Sequence, residues 1–167
     1  ILPDDIAIGD QIEIPLGDLG TFTATVQMVK DDKVLFLFDD YIVKRPMNEN
    51  GSNEGGYEKS DLKKWIKNDL FKMFPKALRK HMTGLTIPTL GEICGWGDNW
   101  DKEHIEPDSD EQLPLMKQRR NRVAYYNNEC SSGWLRNAMK KEFSSAHFAI
   151  VSGIGNANYG HASVSCG

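Results

Sequence analysis

The stretch Thr21–Phe38, TFTATVQMVKDDKVLFLF, indicates the fold class more clearly than any other part of the chain. Its first half alternates apolar and polar side chains with a period of two, which predicts a strand with one buried face. Asp31 and Asp32 predict a hairpin turn between two strands. The five apolar residues from Val34 to Phe38 then predict a second strand that is central and buried on both faces.

Four isoleucines at even spacing precede this hairpin and extend the pattern towards the N terminus. They are Ile6, Ile8, Ile12 and Ile14. Apolar side chains at even spacing predict another strand with one buried face. The opening third of the chain is therefore predicted to be an antiparallel meander.

A helical pattern begins at Ser60, which we predict to be an N-cap followed by an acidic first turn. The apolar side chains at helical spacing are Leu62, Trp65, Ile66, Leu70 and Met73. Pro75 limits this helix because proline restricts the residue before it to extended conformations. A second short helix is predicted over 76–81, and Thr89 with Glu92 forms a capping-box pattern for a third.

Extended patterns return in the second half of the chain. We predict strands over 123–126, 133–136 and 147–152, a turn-rich connection over 156–161 and a closing strand over 162–166. A turn is predicted at Asn127-Asn128. Strands at both ends with helices between them are typical of an α+β domain with segregated layers. The length fits one domain, residues 1–167, with a real hydrophobic core.

The composition argues against nonspecific nucleic-acid binding, a membrane span and a cysteine-based structural site. The chain has 20 basic and 24 acidic side chains and a net charge of -4, whereas nonspecific nucleic-acid binding needs a basic face. No apolar run is long enough for a membrane span. Cys94, Cys130 and Cys166 are widely spaced and odd in number, so we expect reduced thiols rather than a disulfide framework or a zinc site.

Motifs of enzymes and metal sites are not found. The four histidines show no HExxH or paired spacing, and the chain has no GxSxG and no glycine-rich phosphate loop. The acidic side chains of 98–101 and 108–111 do not match the spacing of an EF-hand loop, so a solvated acidic loop is the better interpretation. We therefore predict no metal, no cofactor and no enzymatic activity.

The terminal segment Phe143–Gly167, FSSAHFAIVSGIGNANYGHASVSCG, contains no Asp, Glu, Lys or Arg in a chain that is 26% charged. Its serines, glycines, asparagines and tyrosine resemble the composition of recognition loops. A Gly/Ser-rich terminal strand and hairpin is the alternative, and composition leaves both open. Tyr159 and His161 are the strongest binding candidates, because Tyr offers contact area at low rotamer cost and His both donates and accepts.

Three further side chains are predicted to belong to a scaffold. Trp65 lies in the apolar stripe of the first helix, where core packing is the usual role. Trp134 is expected to fill the core beneath the terminal segment. Arg136 is expected to hold the backbone carbonyls of a loop or to pair with a buried carboxylate.

Four segments, in this order, resemble one family of phage and gut-microbial domains. They are YEKSDLKKWIKNDLF (Tyr57–Phe71), IPTLGEI (Ile87–Ile93), MKQRRNRVAYYNNE (Met116–Glu129) and SSGWLRN (Ser131–Asn137). That family carries the signatures YxxSxLRxWLN, WWLRS and a terminal GVRPA, and it is similar to the C-type lectin fold. This chain departs from it at Gly133, where the signature has a tryptophan, and at Asn137, where it has a serine. It also ends at Gly167, before the expected VRP.

The family includes variable target proteins of diversity-generating retroelements, in which a mutagenic reverse transcriptase rewrites the C-terminal segment by randomising template adenines. Asn codons randomised in this way cannot yield Lys, Met, Trp, Glu or Gln, and none of these occurs in Phe143–Gly167. A template-like frame on Val151–Gly167, with two positions upstream, marks as varied His147, Ile150, Ser152, Ile154, Asn156, Asn158, Tyr159, Gly160, His161, Val164 and Cys166. The frame holds fixed Val151, Gly155, Ala162, Ser163, Ser165 and Gly167, while Gly153 and Ala157 depart from it.

The resemblance implies a ligand-binding display domain of the C-type lectin type. Its varied side chains must point outward, while Val151, Ala157, Ala162 and Ser163 point inward or pack locally. The implied partner is a protein or glycan ligand on a cell surface, and the implied location is a phage tail tip or a microbial cell surface.

Two alternative functions stay open at this point. An enzyme similar to the formylglycine-generating relatives of the same broad fold would need two cysteines close in space, one of them reactive. A sugar-binding lectin of fixed specificity would depend on calcium and would keep its terminal segment unvaried.

Overall fold

Three small antiparallel sheets and a few short helices form a mixed α+β fold in the computed structural model, which describes residues 5–97 and 102–167. The first part of the predicted acidic loop, 98–101, lies outside the described residues. Antiparallel pairing and short connections agree with the α+β class that the order of strands and helices predicts.

The first sheet contains strands β1 (Gln11–Pro15), β2 (Thr21–Lys30) and β3 (Lys33–Phe38) in the order β1-β2-β3. The predicted turn at Asp31-Asp32 is confirmed, because both residues have positive φ, 51° and 61°. Tight hairpins favour this left-handed backbone, since its twist matches that of the strands.

The central strand of this sheet is β2, so the prediction of β3 as central and buried was wrong. β3 is an edge strand, and Leu35 on it is exposed. The reason is the third strand, since β1 pairs with the free side of β2 and leaves β3 unpaired on one side. The even isoleucine pattern also forms a shorter strand than predicted, in which Ile14 is buried and Ile12 is exposed, while Ile8 lies before the strand and is exposed.

The predicted first helix is a continuous run, α1, of three segments: Asp61–Trp65, a π-helical turn Ile66–Leu70, and Phe71–Met73. The Ser60 hydroxyl accepts from the Lys63 N–H at 3.0 Å, which confirms the predicted N-cap. Helix α2 (Lys76–Arg79) and helix α3 (Leu90–Ile93) follow, and the predicted capping box of Thr89 and Glu92 caps α3. Short 3-10 turns cover Gly17–Leu19, Tyr57–Lys59, Pro114–Lys117 and Arg119–Arg122.

The remaining strands form two sheets. β4 (Ala124–Tyr126) and β5 (Glu129–Ser131) pair through the predicted turn at Asn127-Asn128, where both φ angles are positive. β6 (Gly133–Ala138), β7 (His147–Val151) and β8 (Ala157–His161) form the third sheet in the order β6-β7-β8.

Two predictions for the C-terminal segment were wrong. Residues 156–161 were expected to be a turn, but 157–161 form strand β8. The turn lies over 152–156 instead, where the Asn156 carbonyl accepts from Ser152 N–H and Gly155 adopts a positive φ of 81°. Residues 162–166 were expected to be a strand, but they turn, and only Cys166 makes a bridge, to Arg45.

The third sheet has a hydrophobic core on each face. Trp134, Phe148 and Ile150 belong to the first core, which also contains the apolar side of α1 and buried residues of the first sheet. Ala149 and Val151 belong to the second core, with α3. Because alternate residues of a strand point to opposite faces, β7 is buried on both. The prediction of Trp134 as core is confirmed.

No helix among the described residues has the length and apolar character needed to cross a membrane.

Asn53 connects the loop before α1 to the start of β7, and it supplies the first prediction. Its buried Nδ2 group donates to the carbonyls of Met139, Ser144 and His147 at 2.9–3.0 Å. We expect Asn53→Ala to lower the free energy of unfolding by about 2 kcal/mol, because these carbonyls lose their donor. Urea denaturation measures the change. The control Asn68→Ala, on the exposed side of α1, should change it by less than about 0.5 kcal/mol. Equal effects of the two substitutions would contradict this role.

Candidate ligand-binding surface

The register of the terminal hairpin determines which predicted residues share a face. His147 lies opposite His161 and Ala149 lies opposite Tyr159, so these four residues face one side of the sheet. Phe148 and Ile150 face the other side, with Gly160 and Asn158 as their partners on β8. Side chains at neighbouring positions of β8 therefore point to opposite faces of the sheet.

On the first of these faces, five rings form a continuous aromatic row: His104, Phe143, Tyr159, His147 and His161. His104 stacks on Phe143 with ring centroids 4.4 Å apart, and Phe143 meets Tyr159 edge-on at 5.4 Å. His147 meets Tyr159 at 5.5 Å and His161 at 5.3 Å, again edge to face. Such ring pairs restrict one another, so the row is a preorganised contact surface.

Hydrogen bonds orient the two strand histidines. Nδ1 of His161 accepts from the Ser163 N–H at 3.2 Å, so the neutral ring carries its proton on Nε2. Nδ1 of His147 lies 2.6 Å from the Ser144 hydroxyl. The His161 ring also packs on Gly51, where a Cβ atom would come within 2.8 Å of the ring. The size of the side chain at position 161 is thus limited on the side that faces Gly51.

The predicted varied residues differ widely in exposure. Ile154 is 67% exposed, Val164 53% and Tyr159 42%. The other exposed members are Asn156 and Asn158, and the partly buried ones are His147, Ser152, Gly160 and His161.

Two of the predicted varied residues are buried. Ile150 packs in the first core and Cys166 pairs through its backbone with Arg45. Their side chains cannot contact a ligand in this conformation, because both belong to the packing between the third sheet and its neighbours. We leave them out of the candidate surface.

The exposed residues do not form one patch. Ile154 lies in the turn between β7 and β8, beside Arg119 and Cys130, whereas His161 lies at the other end of β8. This strand has five residues, so at about 3.3 Å per residue the two ends lie roughly 15 Å apart. The aromatic row and the turn are therefore two neighbouring contact regions, and Asn158 faces the opposite side from Tyr159.

Sequence reasoning missed two members of the aromatic row. Phe143 carried a usable signal, since it opens the uncharged segment and stays exposed although it is apolar. His104 carried none, because it lies about forty residues away in the acidic loop and reaches the row only through tertiary contacts.

The predicted scaffold residues support the sheet from behind. Nη2 of Arg136 lies 3.2 Å from Oε1 of Glu92, which agrees with the predicted pairing to a carboxylate. Nε1 of Trp134 donates to the Arg45 carbonyl at 2.7 Å. The guanidinium of Arg45 lies over the Trp65 ring, 4.6 Å from its centroid, so Trp65 is a partly buried support rather than a deep core residue.

The cysteines and the acidic residues are not part of the aromatic row. Burial raises the pKa of the Cys94 thiol to about 11, and it raises that of Cys166 to about 11 as well. Asp108 accepts hydrogen bonds from Gly91 N–H and from Asn137, so it serves the N-terminal end of α3. Within residues 5–97 and 102–167, no three His, Cys, Asp or Glu side chains lie close enough together to hold a metal ion.

Comparison with known proteins gives one match. Residues 31–106 match the model of a family described as a domain of unknown function, DUF6273. The matched region runs from the turn before β3 to the segment that follows α3, and it does not include the terminal hairpin. No curated protein and no solved structure matches the chain.

The histidines of the aromatic row give a pH prediction. Burial, and next the neighbouring His161, lower the pKa of His147 below its ordinary 6.5. The unfolded chain then binds this proton more readily than the folded one, so the stabilising contribution is present above the ordinary pKa and is lost as the pH falls through the folded pKa. We expect the melting temperature of the wild type to fall more than that of His147→Gln between about pH 7.5 and about pH 5.5.

The matched control for this experiment is His81→Gln, since His81 is exposed and outside the aromatic row. Its melting temperature should follow the wild-type curve. Parallel curves for the wild type and His147→Gln would show that protonation of this ring does not affect folding.

Proposed function

We propose that this protein is a ligand-binding domain of the C-type lectin type whose terminal segment, Phe143–Gly167, is diversified by a retroelement. The single observation that supports it is the distribution of burial along that segment. Three positions that the template frame holds fixed, Val151, Gly155 and Ala162, are buried. Five that it marks as varied are exposed: Ile154, Asn156, Asn158, Tyr159 and Val164.

Two of the fixed positions have little tolerance for another side chain. Gly155 has a positive φ, and a Cβ atom there would lie 2.6 Å from the Arg119 carbonyl. Ala162 is 0% exposed, its N–H donates to the Ala146 carbonyl and its own carbonyl accepts from Asn48. A mutagenic process that spared these codons would preserve the fold. Ser163 and Ser165, which the frame also holds fixed, are exposed, and Ala157, which was expected to point inward or pack locally, is partly buried.

The aromatic row supports binding energetically. Binding energy usually concentrates in a few aromatic anchors, and rings that are already ordered lose little entropy when a ligand arrives. Tyr159 and Phe143 offer exposed ring surface, while His147 and His161 offer polar nitrogen atoms beside it. This combination suits a protein or glycan ligand on a cell surface.

The cysteine-dependent alternative has weaker support. A nucleophilic thiol must ionise near neutral pH, whereas burial raises the pKa of Cys94 and of Cys166 to about 11. Cys130 is exposed, and it lies beside Gly153 at the turn of the terminal hairpin. The calcium-dependent alternative is weakened by Asp108 and Asp110, whose carboxylates bind groups at the start of α3.

The DNA beside the coding sequence provides the decisive test. We expect a nearly identical repeat of the 3′ coding end, different only opposite adenines, next to a reverse-transcriptase gene. Sister copies of the gene should differ at codons 147–164 and agree over the codons for β1 to β3. Substitutions spread evenly over the whole gene would contradict diversification, and a ligand-binding role with fixed specificity would then remain.

A stability measurement tests the same division of positions. Ala162→Asn should lower the free energy of unfolding by about 2–3 kcal/mol, because it forces an amide into a filled, buried site. Val164→Asn, two residues away and exposed, should change it by less than about 0.5 kcal/mol. Urea denaturation of both variants measures this difference. If Val164→Asn were as harmful as Ala162→Asn, the exposed positions would not be free to vary.

A further inference from the structure

A second feature includes none of the five rings of the aromatic row. It is a cavity of about 540 Å³, with walls from the first sheet, helix α1, the segment around 115–124 and the inner face of β6. Cavities of this volume are typical of sites for small molecules. Its walls come from distant parts of the chain, so it is a property of the fold and not of one loop.

The walls are predominantly apolar and include large aromatic side chains. All four sequence segments that resemble signatures contribute apolar side chains to the walls, among them Trp65, Ile87, Met116 and Trp134. Apolar walls of this kind suit the apolar body of a small ligand.

One buried polar group in the wall is left without a partner. Gln27 is 3% exposed, and its Oε1 atom makes no hydrogen bond within the described part of the chain. Gln27 is one of the lining residues, and because its buried Oε1 atom is unbonded, rotation of the amide towards the cavity breaks no hydrogen bond of that atom. A buried unpaired amide oxygen costs about 1–3 kcal/mol, which a donor on a ligand would offset.

Another residue that lines the cavity is Tyr41, whose side chain is a phenol. The Tyr41 ring packs so closely on Gly133 and Gly167 that a Cβ atom on either glycine would overlap it. Gly133 is the position where the resembling signature has a tryptophan, so its missing side chain leaves room for this ring. Burial raises the pKa of Tyr41, so its hydroxyl stays neutral and able to donate or accept.

Two of the charged side chains at the rim, Asp39 and Arg122, hold neighbouring groups of the protein. Asp39 accepts from Gln11 at 2.9 Å and from Thr25. Arg122 donates to the carbonyls of Met116, at 2.6 Å, and Gly155, at 3.3 Å. The partners of Asp39 and Arg122 are neutral groups, and Arg45 and Arg120 line the cavity as well, so the charged side chains at the rim set no requirement on the charge of a ligand.

We propose that this cavity binds a small aromatic ring compound that carries one hydrogen-bond donor. The ring packs against the apolar walls, which include Trp65 and Trp134, and the donor bonds to Oε1 of Gln27, with the Tyr41 hydroxyl as a second polar neighbour. The proposal does not rest on diversification of the terminal segment, although Val151, Cys166 and Gly167 of that segment also line the cavity.

Indole and benzothiophene test the proposal, because they share shape and differ in one N–H donor. We expect indole to bind the wild-type protein, measured by calorimetry, about fivefold more tightly than benzothiophene, as one hydrogen bond allows. In nitrogen-15 NMR spectra, the side-chain N–H signals of Trp65 and Trp134 should shift with indole, while that of Trp96 should not.

Gln27→Met removes the acceptor while it keeps the length of the side chain, so the two probes should then bind equally. Gln118→Met is the matched control, since Gln118 is exposed and outside the cavity, and it should keep the fivefold preference. If Gln27→Met does not fold, the Gln27 side-chain amide signals of the wild type decide, and they must shift with indole. The proposal is overturned if neither probe shifts the Trp65 and Trp134 signals, or if both bind the wild type equally.

Discussion

The burial of β7 on both faces is the constraint on which the rest of the structure depends. Phe148 and Ile150 pack in the first core, whereas Ala149 and Val151 pack in the second. A shift of register by one residue would move all four into the wrong core, so the alignment of this strand is strongly determined. β8 pairs with β7 along its whole length. The register of β7 therefore determines which face of the sheet each side chain of β8 points to.

Features that depend on a few consecutive residues could be predicted from the sequence. The turn at Asn127-Asn128, the N-cap at Ser60 and the capping box at Thr89 are of this kind, because their hydrogen bonds close within three or four positions. The strand conformation of 157–161 could not be predicted in this way. Asn, Gly and His favour turns locally, but the unpaired edge of β7 offers a ladder of hydrogen bonds that outweighs this preference.

Some residues of the candidate surface could be predicted from the sequence, but their arrangement on the sheet could not. Tyr159 and His161 follow from the uncharged segment, yet the alternation of β8 separates Asn158 from Tyr159 although they are adjacent in sequence. His104 joins the aromatic row from a different part of the chain, which no local pattern can reveal. The cavity was equally hidden, since Gln27 alternates like any other polar residue of a strand and only the packing shows that its oxygen has no partner.

The two proposed sites share the third sheet, so a substitution at one can disturb the other. Tyr159 and His161 do not line the cavity, so their exchange reaches it only through neighbouring residues. Gly160 is different, because a Cβ atom there would approach the Trp134 ring to 3.6 Å, and Trp134 lines the cavity. Cys166 lines it directly. A larger side chain at either position would therefore alter the cavity, whereas Ile154, Asn158 and Val164 do not line it.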